Sequence, residues 1–159
     1  MNIREARIED YENIAKLHLQ LHELHVANRP DLFKHTANYP LDFAYFKSCL
    51  DNDIFNVFIV EDERSGIIAY TILKVEETPA IPVFVVRRIL YINDICVDIQ
   101  FQGKGVGKRL FKQAIDYARE SGAESLELGV SSFNESAIEF YKAMGMKTKS
   151  LRMELDIEK

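Results

Sequence analysis

Apolar positions along the chain change their period several times, and each change marks an element. Asn2–Arg7 alternates apolar and charged residues, a weak first strand. Ile14, Leu17, Leu21 and Leu24 then recur at helical spacing, after Glu9 and Asp10 supply acidic residues to a helix start. That helix should reach about Val26 and stop before Arg29-Pro30. Pro40 is expected to open a second helix through Phe43, Phe46 and Leu50. Ile54–Val60 and Ile67–Val75, rich in Val, Ile and Phe, flank the polar stretch Glu61–Gly66 and predict a hairpin. Two prolines within Glu76–Pro82 break the pattern before an apolar strand over Ile89–Val97. Leu110, Phe111, Ala114, Tyr117 and Ala118 give an amphipathic helix, stopped at Ser121-Gly122. Leu126–Val130 reads as a short strand, a short helix reaches Met144, and Met146–Leu155 alternates as a last strand. Interleaved strands and helices predict a mixed α/β fold, antiparallel first and parallel later, with residues 1–159 as one domain.

Composition changes this picture little. The chain has 159 residues, 47% hydrophobic and 28% charged, ordinary values for a packed domain. A net charge of −5 argues against a nucleic-acid partner, whose binders carry basic surfaces. No apolar run is long enough to span a membrane and no leader or lipidation motif is read, so a cytoplasmic location is expected. Cys49 and Cys96 stand in unrelated contexts and read as reduced thiols. His18, His22 and His25 fall on one helical stripe, but no second-element ligand accompanies them, so no metal is expected.

The chemistry concentrates after the Ile89–Val97 strand, where Gln102-Gly-Lys-Gly-Val-Gly107 opens a helix. Glycines at 103, 105 and 107 let the backbone turn tightly or lie against a ligand. Unpaired N–H groups and the positive end of the helix dipole make such a turn a phosphate site. A Walker-type loop fails on spacing, because Gln102 stands where its first Gly would be and Arg109 where its Ser/Thr would be. A dinucleotide fingerprint fails as well, because the three glycines are evenly spaced.

The pattern Gln/Arg-x-x-Gly-x-Gly/Ala fits, as Gln102-Gly103-Lys104-Gly105-Val106-Gly107. It resembles the acyl-CoA-binding loop of the GNAT superfamily of N-acetyltransferases. The stretch from Tyr91 to Gln100 is similar to that family's fourth strand, and Asn134 through Tyr141 to Gly145 to its second CoA motif. The resemblance implies a central mixed, mostly antiparallel twisted sheet of about 6–7 strands, flanked by about 4 helices and splayed at the acetyl-CoA site. It implies acetyl-CoA as cosubstrate and a small-molecule or peptide amine as acceptor, and it leaves a homodimer open.

Site roles follow from the same resemblance. The loop from Gln102 to Lys108, with Lys104 or Lys108 near the pyrophosphate, would bind the cofactor, joined by Asn134. Backbone N–H groups near Cys96 and Val97 would anchor the pantetheine and polarise the acetyl carbonyl. Tyr141 would protonate the departing thiolate, since a phenol is protonated at neutral pH. Asp94 lies where part of the family carries an acidic residue serving as base, although Asn93-Asp94 replaces the commoner Glu-Asp. Asp94 as base, or as a residue ordering the strand end while water carries the proton, are both open. Arg29, Asp31, His35 and Tyr39, with Arg87 and Arg88, are candidates to read the acceptor. The rival class is an acyl-CoA-binding or sensing module without turnover.

Overall fold

The structure, a computed structural model, describes residues 1–158. Contacts divide it into two units, Met1–Gly129 and a second beginning at Val130. The first unit is built on one sheet of order β1-β2-β3-β4-β5: β1 Asn2–Glu5, β2 Phe55–Asp62, β3 Gly66–Glu77, β4 Arg88–Val97 and β5 Ser125–Leu128. All neighbours pair antiparallel except β4 and β5, which are parallel. Helices α1 (Tyr11–Asn28), α2 (Phe43–Asp51) and α3 (Val106–Glu120) flank the sheet. The second unit carries α4, Glu135–Ala143. The fold is mixed α/β and mostly antiparallel, as expected.

Side-chain alternation in β2 assigns the helices to faces. Val57 and Ile59 join the core formed with Ile14, Ala15 and Leu17 of α1 and Phe46 and Cys49 of α2. Phe58, between them, meets the Tyr117 ring of α3 at 5.7 Å. Thus α1 and α2 cover one face and α3 the other. An ion network ties β1 to β2 and to the turn before α1. Arg4 donates to Asp10 at 2.8 and 2.9 Å and to Glu61 at 2.9 and 2.6 Å, and Asp10 also accepts from the Arg7 N–H.

Three details depart from the sequence expectations, in strand number, in the last strand and in the start of the second helix, and one loop adds to them. The sheet has five strands rather than six or seven. Met146–Leu155 alternates but forms no strand, since alternation alone does not supply a ladder. The second helix starts at Phe43, because the Asp42 carboxylate caps it by accepting from the Tyr45 N–H at 3.0 Å. Pro40 lies outside it. Val83–Val86 is exposed and irregular, in a loop closed by Thr78, whose hydroxyl donates to Val85 O and accepts from the Arg87 N–H.

β4 is irregular in two ways. Ile72 of β3 faces Asp94 while Leu73 faces Ile92, so Asn93 is an extra residue, a β-bulge. The buried Thr71 hydroxyl donates to the Asp94 carbonyl at 2.8 Å beside it. Pairing with β5 runs only from Ile89 to Ile92, so Asn93–Val97 has β3 on one edge and no β5 on the other.

Candidate active site

The strand that loses its neighbour runs directly into the glycine loop. Asp98 accepts from the Gln100 N–H and holds the turn Ile99–Phe101, and Gln102 Nε2 donates back to Val97 O at 3.1 Å. The Asp98 N–H goes to Ile68 O on β3. Backbone groups alternate along a strand, so the Val97 N–H points with its carbonyl towards the open edge. Gly103 and Gly105 have φ of +73° and +80°, conformations that L side chains rarely adopt, with open space where a Cβ would stand. Gly105 is the N-cap of α3 and offers no side-chain cap, so N–H groups of the first turn remain for a ligand. Gly107 lies within that turn. Val106 is buried, which leaves its backbone as what it can offer. Lys104 Nζ stands over the Phe101 ring at 5.1 Å, and Lys108 is exposed.

Asp94 sits on the α1/α2 face, opposite Ile72, with a side chain 20% exposed. Burial raises its pKa to about 6, near the working range of a base at neutral pH. His18 of α1 is beside it, Nδ1 to Oδ1 at 3.9 Å, beyond hydrogen-bonding range. His18 Nδ1 instead meets the Tyr70 hydroxyl at 2.7 Å. Burial, then the neighbouring His22 and His25, lower His18 to about 4. Burial, then Asp94, holds Tyr70 well above the ordinary phenol value. From α2, Tyr45 accepts from Asn93 Nδ2 at 3.2 Å, and burial raises both Tyr45 and Cys49. Cys96 donates its thiol to Leu17 O and is pushed up to about 12 by burial, conditions under which a thiolate nucleophile does not form.

In the second unit, Asn134 is the N-cap of α4 and its amide oxygen accepts from the Ala137 N–H at 3.3 Å. Nδ2 is then the atom it can offer a ligand. Tyr141 lies two helical turns on, its ring edge-on to Phe140 at 5.5 Å.

The histidine stripe divides. His22 donates to Lys34 O and His25 to Leu21 O, while His18 turns to Tyr70. Among the described residues no group of three or more His, Cys, Asp or Glu side chains could hold a metal ion. No described helix is long and apolar enough to cross a membrane. Arg29 and Asp31 form a two-point pair at 3.0 and 2.8 Å, and His35 pairs with Glu23. Arg87 and Arg88 both approach Glu124, the latter through its backbone N–H. Tyr39 lines an open cavity of about 500 Å³ with Tyr11, Asp42 and Phe43. Sequence reasoning missed Tyr45, Cys49 and Tyr70 around Asp94. No spacing signals them, because they come from separate elements and meet only through sheet register.

Comparison with known proteins matches the acetyltransferase (GNAT) family model to residues 18–146. The crystal structure of a tetramutant of the BH1408 protein from Bacillus halodurans is 36% identical, covers 99% of this chain and 100% of that one, and superposes with a TM-score of 0.95. The uncharacterized N-acetyltransferase YhfO of Bacillus subtilis is 30% identical over 145 residues, 91% of this chain and 89% of that protein. The uncharacterized N-acetyltransferase MJ1207 of Methanocaldococcus jannaschii is 42% identical over 65 residues, 41% of this chain but only 29% of its own length.

Proposed function

The chain belongs to the GNAT acetyltransferase family, and on that premise we propose that it moves the acetyl group of acetyl-CoA to a primary amine by direct attack in a ternary complex. One observation carries the reading: β4 loses β5 after Ile92 and leads straight into a positive-φ glycine loop at an uncapped helix start. That arrangement offers an open strand edge to an amide-bearing pantetheine arm and N–H groups to a pyrophosphate, which is the donor set such a cofactor requires. Bound acetyl-CoA supplies the acyl group in activated thioester form.

The chain's own residues have separate tasks. Gln102 ties the loop to Val97, while the N–H groups of residues 103–108 face phosphate and Lys104 or Lys108 adds charge. The Val97 N–H on the open edge orients the arm and polarises the carbonyl. Asp94 takes a proton from the acceptor ammonium, Tyr141 gives one to the departing sulfur, and Asn134 offers Nδ2 to the cofactor. The acceptor is a small-molecule or peptide amine, no metal takes part, and residues 1–159 act as one domain.

An amine screen that follows thiol release from acetyl-CoA tests the activity. CoA binding with no release across the screen would leave a binding module instead. Gly105→Glu should abolish CoA binding in a folded protein, because a strained side chain and a negative charge meet the pyrophosphate; unchanged calorimetric affinity removes the loop assignment. Tyr141→Phe should keep CoA affinity and lower kcat by about 10²-fold, and turnover within a few-fold of wild type would reduce Tyr141 to packing.

A further inference from the structure

We propose that Tyr70 and His18 are a positioning pair for Asp94: the Tyr70 phenol fills Nδ1 of His18, keeps the imidazole uncharged, and so leaves the carboxylate strong enough as a base. The inference rests on reading Asp94 as the base of the proposed transfer. That step is a plain proton transfer. An N–H bond of the acceptor ammonium breaks, an O–H bond forms on Asp94, and the electron pair left on nitrogen becomes the nucleophile.

The geometry sets the charge state. Tyr70 is fully buried on β3, and a buried phenol proton requires an acceptor. Its partner is His18 Nδ1 at 2.7 Å, so the hydroxyl donates and the ring carries its single proton on Nε2. A second proton on His18 would have to take the nitrogen that accepts from Tyr70, turn the phenol proton away from its acceptor, and place a charge in a mostly buried site, near His22 and His25 on the same helix. Asp94 Oδ1, at 3.9 Å, accepts no hydrogen bond from this nitrogen but lies well within reach of its field. An imidazolium there would lower the Asp94 pKa by about 1–3 pH units and weaken it as a base. The other groups facing Asp94 are Tyr45 and Cys49 from α2 and Tyr70 and Cys96 from the sheet. All are neutral when protonated, and Asn93 carries no charge. Among the described residues of this cluster, His18 is the one that can become a cation.

The test follows imidazole nitrogens and the Asp94 carboxyl by NMR across pH in the full chain, for wild type, Tyr70→Phe, His18→Gln and the double variant. In wild type, His18 should stay in the Nε2–H form to below about pH 5, well under its ordinary titration. In Tyr70→Phe, His18 should titrate higher and Asp94 lower by about one pH unit or more, and the acid limb of kcat/KM should move down with Asp94. His18→Gln should leave Asp94 where it is, and adding Tyr70→Phe to it should change nothing further.

An Nδ1–H tautomer or a charged ring in wild type at neutral pH overturns the proposal, even if Tyr70→Phe fails to fold. So does a folded Tyr70→Phe whose Asp94 titration is unmoved. If these titrations come out as expected while Asp94→Asn only lowers activity in parallel at every pH, the pair stands and the base reading fails.

Discussion

Asp10 and Asp94 are both aspartates set mostly below the surface, with side chains 11% and 20% exposed. The Asp10 carboxyl is held below its ordinary range, first by hydrogen bonds from Arg4, with the Arg7 N–H assisting. Asp94 is raised to about 6 by burial, with no cation to offset it. Side-chain exposure alone therefore does not separate them: Asp94 is desolvated without a partner, while Asp10 has a guanidinium that outweighs its desolvation. At the β1–β2 end a guanidinium reaches two carboxylates. At the β4 bulge the one nearby group among the described residues that could become a cation, His18, is engaged by Tyr70 instead. Low dielectric with a matched partner ties strands together, and low dielectric without one makes a carboxylate that can accept a proton near neutrality.

The largest expected effect lies on the Asp94 side. If the unpaired carboxylate is the base, Asp94→Asn should lower kcat/KM by about 10²-fold near neutral pH, above the Asp94 pKa of about 6, where the carboxylate is ionised but free amine is still scarce. The variant should recover as pH climbs towards the acceptor's own pKa. A pH–rate profile displaced in parallel would break the contrast by making Asp94 a strand-ordering residue.

On the Asp10 side, Arg4→Met should cost about 2 kcal/mol at neutral pH, because it leaves a mostly buried carboxylate unpaired; the partial exposure of Arg4 and Glu61 moderates the loss. The folded-state pKa values of Asp10 and Glu61 are depressed by Arg4. Stability from the pairing is therefore present above their unfolded pKa values and lost as pH falls through the folded ones. The penalty of Arg4→Met should accordingly shrink in acid, and denaturant melts across pH would show it. A pH-independent penalty would mean that Arg4 acts through packing.

The smallest effect has the opposite sign. Asp94 has a raised folded-state pKa, so its contribution is fully present below its ordinary value of 3.8 and lost as pH rises through about 6. Asp94→Asn should then be more stable than wild type above about pH 6, by about 1 kcal/mol once partial water access is allowed for, and should gain nothing near pH 4. Thermal melts at the two pH values decide it. Equal shifts at both would remove the electrostatic contrast.

Much of this frame is legible in the sequence because it depends on local chemistry. The hairpin of β2 and β3, the amphipathic α3 and the positive-φ glycines at 103 and 105 all follow from period and residue type. Asp42, the cap of α2, is itself a sequence signal, since Asp is a strong N-cap, but Pro40 two residues earlier offers a competing helix start. What surrounds Asp94 was not legible. His18 and Tyr70 are 52 residues apart, and their contact depends on how α1 is rotated over the sheet. The early end of β4–β5 pairing is a property of two strands together, and neither strand alone announces it.

The extra residue at Asn93 also has a genetic consequence. Ile92 and Asp94 have the same parity along the chain, yet the bulge sends them to opposite faces of the sheet. Loss of a single codon there would keep the reading frame and nearly the whole protein, but it would break the alternation on which the site depends. Either Asp94 and Cys96 would turn towards α3, or Leu90 and Ile92 would exchange their packing for the side of α1 and α2. Substitutions at Asn93 can be tested one at a time, whereas a deletion there rewrites every side chain on one flank of it. Among sequences of this length, the spacing between Ile92 and the glycine loop should therefore tolerate changes of letter far better than changes of count.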